Sequence, residues 1–254
     1  MNNLGLALLV GVVAGLLEWD IYGGIHLKAA RPIITGTVMG LALGDLETGL
    51  YVGGTLELVY LGNITVGAAI PPDATCGTAI ATALCIISGL DREAAVALAL
   101  PVAVCAQMLQ MFMWTLNGGF MHKADAYAAE GDIDKLCRLQ IGGCIMFFFQ
   151  GFIPAFLAIF LGADAVSTLV NNMPDWINTW LKVAGGMMPA LGFAMLFVMM
   201  YKKKLLPYFI AGFVIAAAFG GTLISIGVLG MAAALLYVNS MDEKTERRRG
   251  RAGN

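Results

Sequence analysis

The sequence predicts an all-α polytopic membrane protein, with full spans, short broken or re-entrant helices and a candidate inverted repeat. Three observations carry this. Of 254 residues, 59% are hydrophobic and 13% are charged. A typical soluble domain carries about 25% charged residues, so polar groups are too few here to cover a water-facing surface. The charges are also clumped, with long uncharged stretches between them. Finally, glycine is abundant at 32 residues, and small residues let membrane helices approach closely.

A spanning helix needs about 20 apolar residues. Residues 4–17 form a shorter run that ends at Glu18-Trp19-Asp20. No Lys or Arg precedes it and no small-residue cleavage site follows, so it does not read as a cleaved signal. Residues 33–44 are shorter still and stop at Asp45. Residues 46–70 are long enough but carry Glu57 mid-run and end at Pro71-Pro72-Asp73. Residues 74–90 are a marginal span. Full spans are expected near 94–116, 141–162 and 183–201. Residues 205–238 are too long for one span and too short for two, and Gly220-Gly221 divides them into a hairpin of short helices. Irregular backbone at membrane depth is tolerated only where it is buried in protein or lines a polar cavity. The broken helices near 33–90 are therefore expected to build a cavity, with a second broken region at 205–238.

Lys and Arg in short loops set the orientation. Lys202, Lys203 and Lys204 are consecutive, and the tail 241–254 holds Lys244, Arg247, Arg248, Arg249 and Arg251. Both segments are assigned to the cytoplasm. Counting back places loop 163–182, with Lys182, outside and loop 117–140, with Lys123, Lys135 and Arg138, inside. Residues 1–240 then make a single membrane unit and 241–254 a basic cytoplasmic tail. The tetrapeptide Gly53-Gly54-Thr55-Leu56 recurs as Gly220-Gly221-Thr222-Leu223, the kind of internal echo that inverted-repeat transporters show.

Several classes are disfavoured. A net charge of −2 gives no reason to invoke a nucleic-acid partner. The five cysteines lack CxxC spacing and four sit in apolar runs, so they read as small packing residues rather than a disulfide framework or metal site. Two histidines are too few for a histidine-rich metal centre. No cofactor and no metal is expected.

Glu57 is the sharpest chemical feature. A carboxylate in mid-span costs at least ~2.5–3.5 kcal/mol, which a cation, a polar ligand or a wet cavity must offset. Gly53, Gly54 and Gly62 around it would let another backbone or a ligand come close. A carboxylate accepts two hydroxyl donors in fork geometry, which suits a sugar. The structural alternative is pairing with a helix end or with Arg31. In a continuous helix Thr65 would lie about 80° and Asn63 about 120° from Glu57; unwinding at Gly62 would let both face one cavity. Asn and Thr also cross-bond membrane helices. Pro71 and Pro72 end the segment, and Asp73 suits both an N-cap for the next helix and sugar contact. Asp45 reads as a cap. Trp19 and Tyr22 read as interfacial residues, and His122 as a surface histidine.

In order and spacing, the chain resembles a known family. Arg31-Pro32, Leu43-Gly44-Asp45, Gly53-Gly54-Thr55-Leu56-Glu57-Leu58, Leu61-Gly62, Gly67-Ala68-Ala69 and Pro72-Asp73 are similar to the membrane IIC subunit of the mannose/fructose/sorbose family of bacterial phosphotransferase systems. Gln107, His122 with Ala124-Asp125, Ala184-Gly185-Gly186-Met187, Leu206-Pro207-Tyr208-Phe209 and Gly212-Phe213-Val214 agree. The resemblance covers about residues 5–240. It implies a protein of the bacterial inner membrane that binds an external hexose, amino sugar or sorbose and passes it inward. It also implies a IID membrane partner, soluble IIA and IIB phosphocarriers that relay phosphate from phosphoenolpyruvate, and a trimer of IIC–IID pairs. The phosphorylated histidines lie on IIA and IIB, so no catalytic residue is expected here. By the same resemblance the sugar site is built from Glu57, Asn63 or Thr65, and Asp73, with Gly53, Gly54, Gly62, Pro71 and Pro72 shaping it. Mannose-type members carry Trp-Met-Asn where this chain has Asn63-Ile64-Thr65, and Ala at the place of Pro71. Both departures lean toward the N-acetylgalactosamine and sorbose branches. The competing readings are a stand-alone carrier or channel and an intramembrane aspartyl protease. The protease would need Gly-x-Gly-Asp, but Asp45 follows Ala42-Leu43-Gly44.

Overall fold

The computed structural model describes residues 3–22, 26–63, 70–171 and 174–252. Among these, nine α-helices and two short 3-10 turns account for the regular structure. The helices are α1 (Asn3–Tyr22), α2 (Pro32–Leu43), α3 (Leu46–Val59), α4 (Ala74–Ser88), α5 (Arg92–Glu130), α6 (Ile133–Asn171), α7 (Asp175–Met200), α8 (Leu206–Phe219) and α9 (Leu223–Ala252). The chain divides into two compact units, Met1–Phe197 and Val198–Asn254.

In the first unit, α4 is the central helix. Its residues from Thr75 to Cys85 are all buried, and it packs on α1, α2, α3, α5 and α6. Small residues dominate the two apolar clusters on either side of it: Ala81, Ala94, Ala95 and Ala99 in one, Ala7, Ala14, Ala79 and Ala155 in the other. In lipid there is no hydrophobic drive between helices, so close backbone packing must hold them. The α2–α3 hairpin shows how. A Cβ added at Gly49 would sit 2.6 Å from the Cα of Gly40, and one at Gly36 would sit 2.6 Å from the Cα of Gly53. The two backbones touch through four glycines.

Three sequence expectations are corrected. The first apolar run does not stop at Glu18: α1 continues through Glu18 and Asp20 to Tyr22, because both acids are buried against partners from elsewhere in the chain. At 20 residues, α1 is long enough to cross a membrane, as are α5 and the 133–162 part of α6. The expected loop 117–140 is mostly helix. α5 and α6 have 39 residues each, about 58 Å at 1.5 Å per residue, against a hydrocarbon core of about 30 Å. Only Gly131-Asp132 interrupts them, with Gly131 in the left-handed region at φ 72° and its N–H donating to the Ala128 carbonyl. His122 consequently lies on a helix rather than in a loop. Finally, the two Gly-Gly-Thr-Leu tetrapeptides fold differently. The first lies inside α3, whereas Gly220 takes φ 64° and ends α8. Their likeness is one of sequence, not of local structure.

The second unit contains α8, α9 and a 3-10 turn over Lys203–Leu205. Its helices carry many exposed apolar side chains, among them Phe213, Phe219, Ile224 and Leu236, as a lipid-facing surface would.

Candidate functional site: a polar cavity at a helix break

α3 ends at Val59 and tightens into a 3-10 turn over Tyr60–Gly62. The chain has therefore left the helix before Asn63, and the next described helix begins at Ala74. The side chain of Asn63 donates from Nδ2 to the Pro72 carbonyl at 3.0 Å, which clasps the two ends of the excursion together. From α5, Gln107 donates from Nε2 to the Ile70 carbonyl. Proline carries no N–H, so Pro71 and Pro72 cannot continue a helix backward into this segment. Asp73 then caps α4, accepting from the Cys76 N–H at 2.8 Å, while its own N–H donates to the Ala103 carbonyl at 3.2 Å.

The break opens a cavity of about 190 Å³ whose lining includes Glu18, Tyr22, Arg31, Glu57, Tyr60, Asn63, Pro71, Pro72, Asp73, Gln110 and Trp114. A space of that size suits a small polar solute rather than a long chain. Glu57, Asn63, Asp73, Pro71 and Pro72, all expected at the site, line this one space. Thr65 lies outside the described residues. Gly53 and Gly62 do let backbones approach: Gly53 faces the Pro32 carbonyl of α2, and Gly62 faces Gly192 and Met195 of α7. Gly54 has nothing within 4 Å of where a Cβ would stand, so no close approach explains it.

Glu57 is ion-paired with Arg31, and its second oxygen accepts the Ile33 N–H at 3.3 Å, at the start of α2. The structural partner considered for it is thus present, and it sits on the cavity wall. The Arg31 side chain is 54% exposed and that of Glu57 17%, so the pair remains open to a ligand. Arg31 is delivered by a turn that Asp20 organises. One Asp20 oxygen accepts the Leu27 N–H at 2.8 Å and the other the Ala29 N–H at 2.9 Å. His26 and Lys28 take positive φ of 57° and 63° there, a conformation non-glycine residues hold only when their surroundings impose it.

Other cavity residues were not foreseen. Glu18 is 1% exposed and accepts from Gln150 Nε2 of α6 at 2.8 Å. Gln110 donates to the Tyr22 hydroxyl at 3.0 Å. Tyr22 in turn stacks on Phe147 at 4.5 Å and meets Trp114 edge-on at 6.0 Å. Helical spacing is the signal that finds them. Glu18 and Tyr22 are four apart on α1, and Gln107, Gln110 and Trp114 fall at three- and four-residue steps on α5, so each set lies along one helix face. The site thus offers carboxylate and amide oxygens as acceptors, one guanidinium as donor, and aromatic faces. That combination matches the hydroxyls and apolar ring face of a sugar.

Comparison with known proteins bears on the same point. The family model described as "PTS system sorbose-specific iic component" matches residues 4–236. A mannose-specific EIIC component from Escherichia coli (strain K12) is 34% identical over 236 residues, covering 92% of this chain and 86% of that protein. A sorbose-specific EIIC component from Klebsiella pneumoniae is 37% identical over 214 residues, covering 84% and 80%. A solved structure titled "Structure of membrane protein" superposes with a TM-score of 0.83 at 33% identity, covering 92% of this chain and 95% of that one. A match over nearly the whole length, on a helical membrane fold with a polar cavity at its break, leaves one assignment: the chain belongs to the sorbose-specific IIC component family and is a sugar-translocating membrane subunit of a phosphotransferase system.

Proposed function

We propose that the cavity at the α3–α4 break is the sugar site, that it receives an external hexose, amino sugar or sorbose, and that Glu57, Asn63, Asp73 and Thr65 contact it. The observation that carries this reading is the convergence of Glu57, Asn63 and Asp73 on one cavity although the helix breaks between them. Glu57 is the strongest acceptor. Arg31 fixes its orientation, and two hydroxyls in fork geometry suit its oxygens. Asn63 offers its amide carbonyl while its Nδ2 holds the loop. Asp73 presents the oxygen that does not cap α4.

Transport needs partners. A IID membrane subunit works beside this chain, in a trimer of IIC–IID pairs, and IIA and IIB proteins carry phosphate from phosphoenolpyruvate to the sugar as it emerges. Residues 1–240 form the transport unit in the bacterial inner membrane. The tail 241–254, with four arginines and one lysine, lies in the cytoplasm in keeping with the positive-inside bias. The departures at Asn63-Ile64-Thr65 and Pro71 support a substrate nearer N-acetylgalactosamine or sorbose than mannose.

The test is phosphoenolpyruvate-dependent sugar phosphorylation in vesicles containing this chain, IID, IIA and IIB. Glu57→Gln is expected to lower activity about 10–100-fold with membrane insertion intact. Full activity in that variant would remove Glu57 from the site.

A further inference from the structure

A second cavity, of about 170 Å³, adjoins the first. It is lined by Asp20, Ile21, His26, Lys28, Ala30 and Arg31. Ile21, Ala30 and Arg31 line the first cavity as well, so the two share a wall and Arg31 borders both. The sugar motif uses neither His26 nor Lys28.

The turn that forms this cavity is held in an unusual shape. Asp20 accepts the Leu27 and Ala29 N–H groups, one on each oxygen, and His26 and Lys28 stand at positive φ between and beside them. Such conformations persist where the surroundings over-determine them, and they cluster at functional sites. The one acid in the lining is thus occupied by backbone donors, and Gly23-Gly24-Ile25 adds no other in sequence. Among the described residues, the His26 and Lys28 side chains have no hydrogen-bond or ion-pair partner. Arg31 is held by Glu57 through one terminal nitrogen and is 54% exposed. A guanidinium has five N–H donors, so it has others to offer across the wall.

The position in the bundle agrees. α1 runs antiparallel to α6, with Gly11 against Phe152, Gly15 against Phe148 and Tyr22 on Phe147. Its last turn therefore points to the end where α5 and α6 join, the end that carries Lys123, Lys135 and Arg138 and that the positive-inside bias assigns to the cytoplasm. We infer that the second cavity is a subsite for a phosphoryl group, with Lys28 and His26 donating to its oxygens and Arg31 reaching it from the shared wall. This rests on the first cavity being the sugar site.

A phosphate monoester brings between one and two negative charges and three strong acceptor oxygens. An ammonium, an imidazole N–H and a guanidinium complement that set. A carboxylate has two oxygens and one charge, and leaves one of the three donors idle. A neutral hydroxyl leaves the Lys28 ammonium uncompensated. The shared wall adds a geometric reason: a sugar ring in the first cavity can place an esterified phosphate in the second. The phosphoryl group carried by IIB presents the same oxygens, so the two sources are told apart by experiment.

Calorimetric titration of the full chain in phosphatidylcholine nanodiscs decides it, with L-sorbose, N-acetyl-D-galactosamine, their 1- and 6-phosphates and inorganic phosphate as probes. If the product ester is the source, a phosphate ester is expected to bind at least about tenfold tighter than its parent sugar, as one charge-assisted contact would give. Lys28→Asn, and separately His26→Asn in case the first variant fails to fold, are expected to lower that ratio several-fold; Asn tolerates positive φ. If the donor is the source, the same variants in vesicles with IID, IIA and IIB are expected to raise the half-saturating concentration of phosphorylated IIB several-fold. Absence of both effects in the folded variants would overturn the subsite while leaving the sugar site standing. So would displacement of the ester by phosphatidylglycerol added to the disc, which would make the cavity a lipid-headgroup site. Sugar binding that Glu57→Gln leaves unchanged would instead overturn the sugar-site reading.

Discussion

The two ends of the cavity treat their carboxylates differently. At one end Glu57 has a guanidinium and a helix-start N–H as partners. At the other, Glu18 and Asp73 sit close together, each with one oxygen bonded and one without a partner. A mid-membrane carboxylate must be compensated, and the first end achieves this within the chain. At the second, the only basic side chain lining the cavity among the described residues is Arg31, and Glu57 holds it. The comparison separates a carboxylate paired with a guanidinium from two neighbouring carboxyl groups that have no basic side chain of their own among the described residues.

Four substitutions sharpen or break this contrast. Asp73→Ala is expected to have the largest effect, because Asp73 serves both the fold and the cavity. Losing the α4 cap costs about 1 kcal/mol, and losing the carboxylate lowers transport a further 10–100-fold, roughly the worth of a hydrogen bond to a charged group. Vesicle uptake against sugar concentration reads this, and near-normal uptake would refute it. Glu57→Gln comes next, with a loss of about 10–100-fold on the same scale and little change in thermal stability, since the freed Arg31 reaches water. Asn63→Ala is expected to weaken sugar binding about fivefold, as a neutral hydrogen bond of about 1 kcal/mol does, by releasing the clasp on Pro72. Unchanged affinity would mean that the loop holds its shape without it. The smallest effect also has the opposite sign. Glu18→Gln keeps an acceptor for Gln150 while removing one of two neighbouring carboxylates, so the ligand-free protein is expected to gain about 2–4 °C in thermal midpoint. A clear loss would show that the Glu18 carboxylate is already compensated within the fold.

The sequence makes the first end of the cavity far more legible than the second. Glu57, Asn63, Pro71 and Pro72 fall within one stretch of chain, and glycine and proline mark where the helix must stop. The capping roles of Asp45 and Asp73 follow from local chemistry alone, and the structure shows both. Glu18 was misread because Glu18-Trp19-Asp20 looks like the polar edge of a membrane segment. Its burial depends on Gln150, 132 residues away, and no local pattern carries that contact. Gln110 shares a helix face with Gln107 and Trp114, but that spacing does not show that Tyr22 of α1 lies beside it. The repeated Gly-Gly-Thr-Leu shows the converse error, since four identical residues form helix in α3, packed on the glycines of α2, and a break after α8.

The most direct test of the sugar site is the structure of this chain with a transported sugar bound. The sugar is expected in the cavity at the α3–α4 break, with hydroxyls within hydrogen-bond distance of Glu57, Asn63 and Asp73. A sugar bound elsewhere, with the Arg31–Glu57 pair and the Asn63–Pro72 clasp untouched and the cavity empty, would contradict the account.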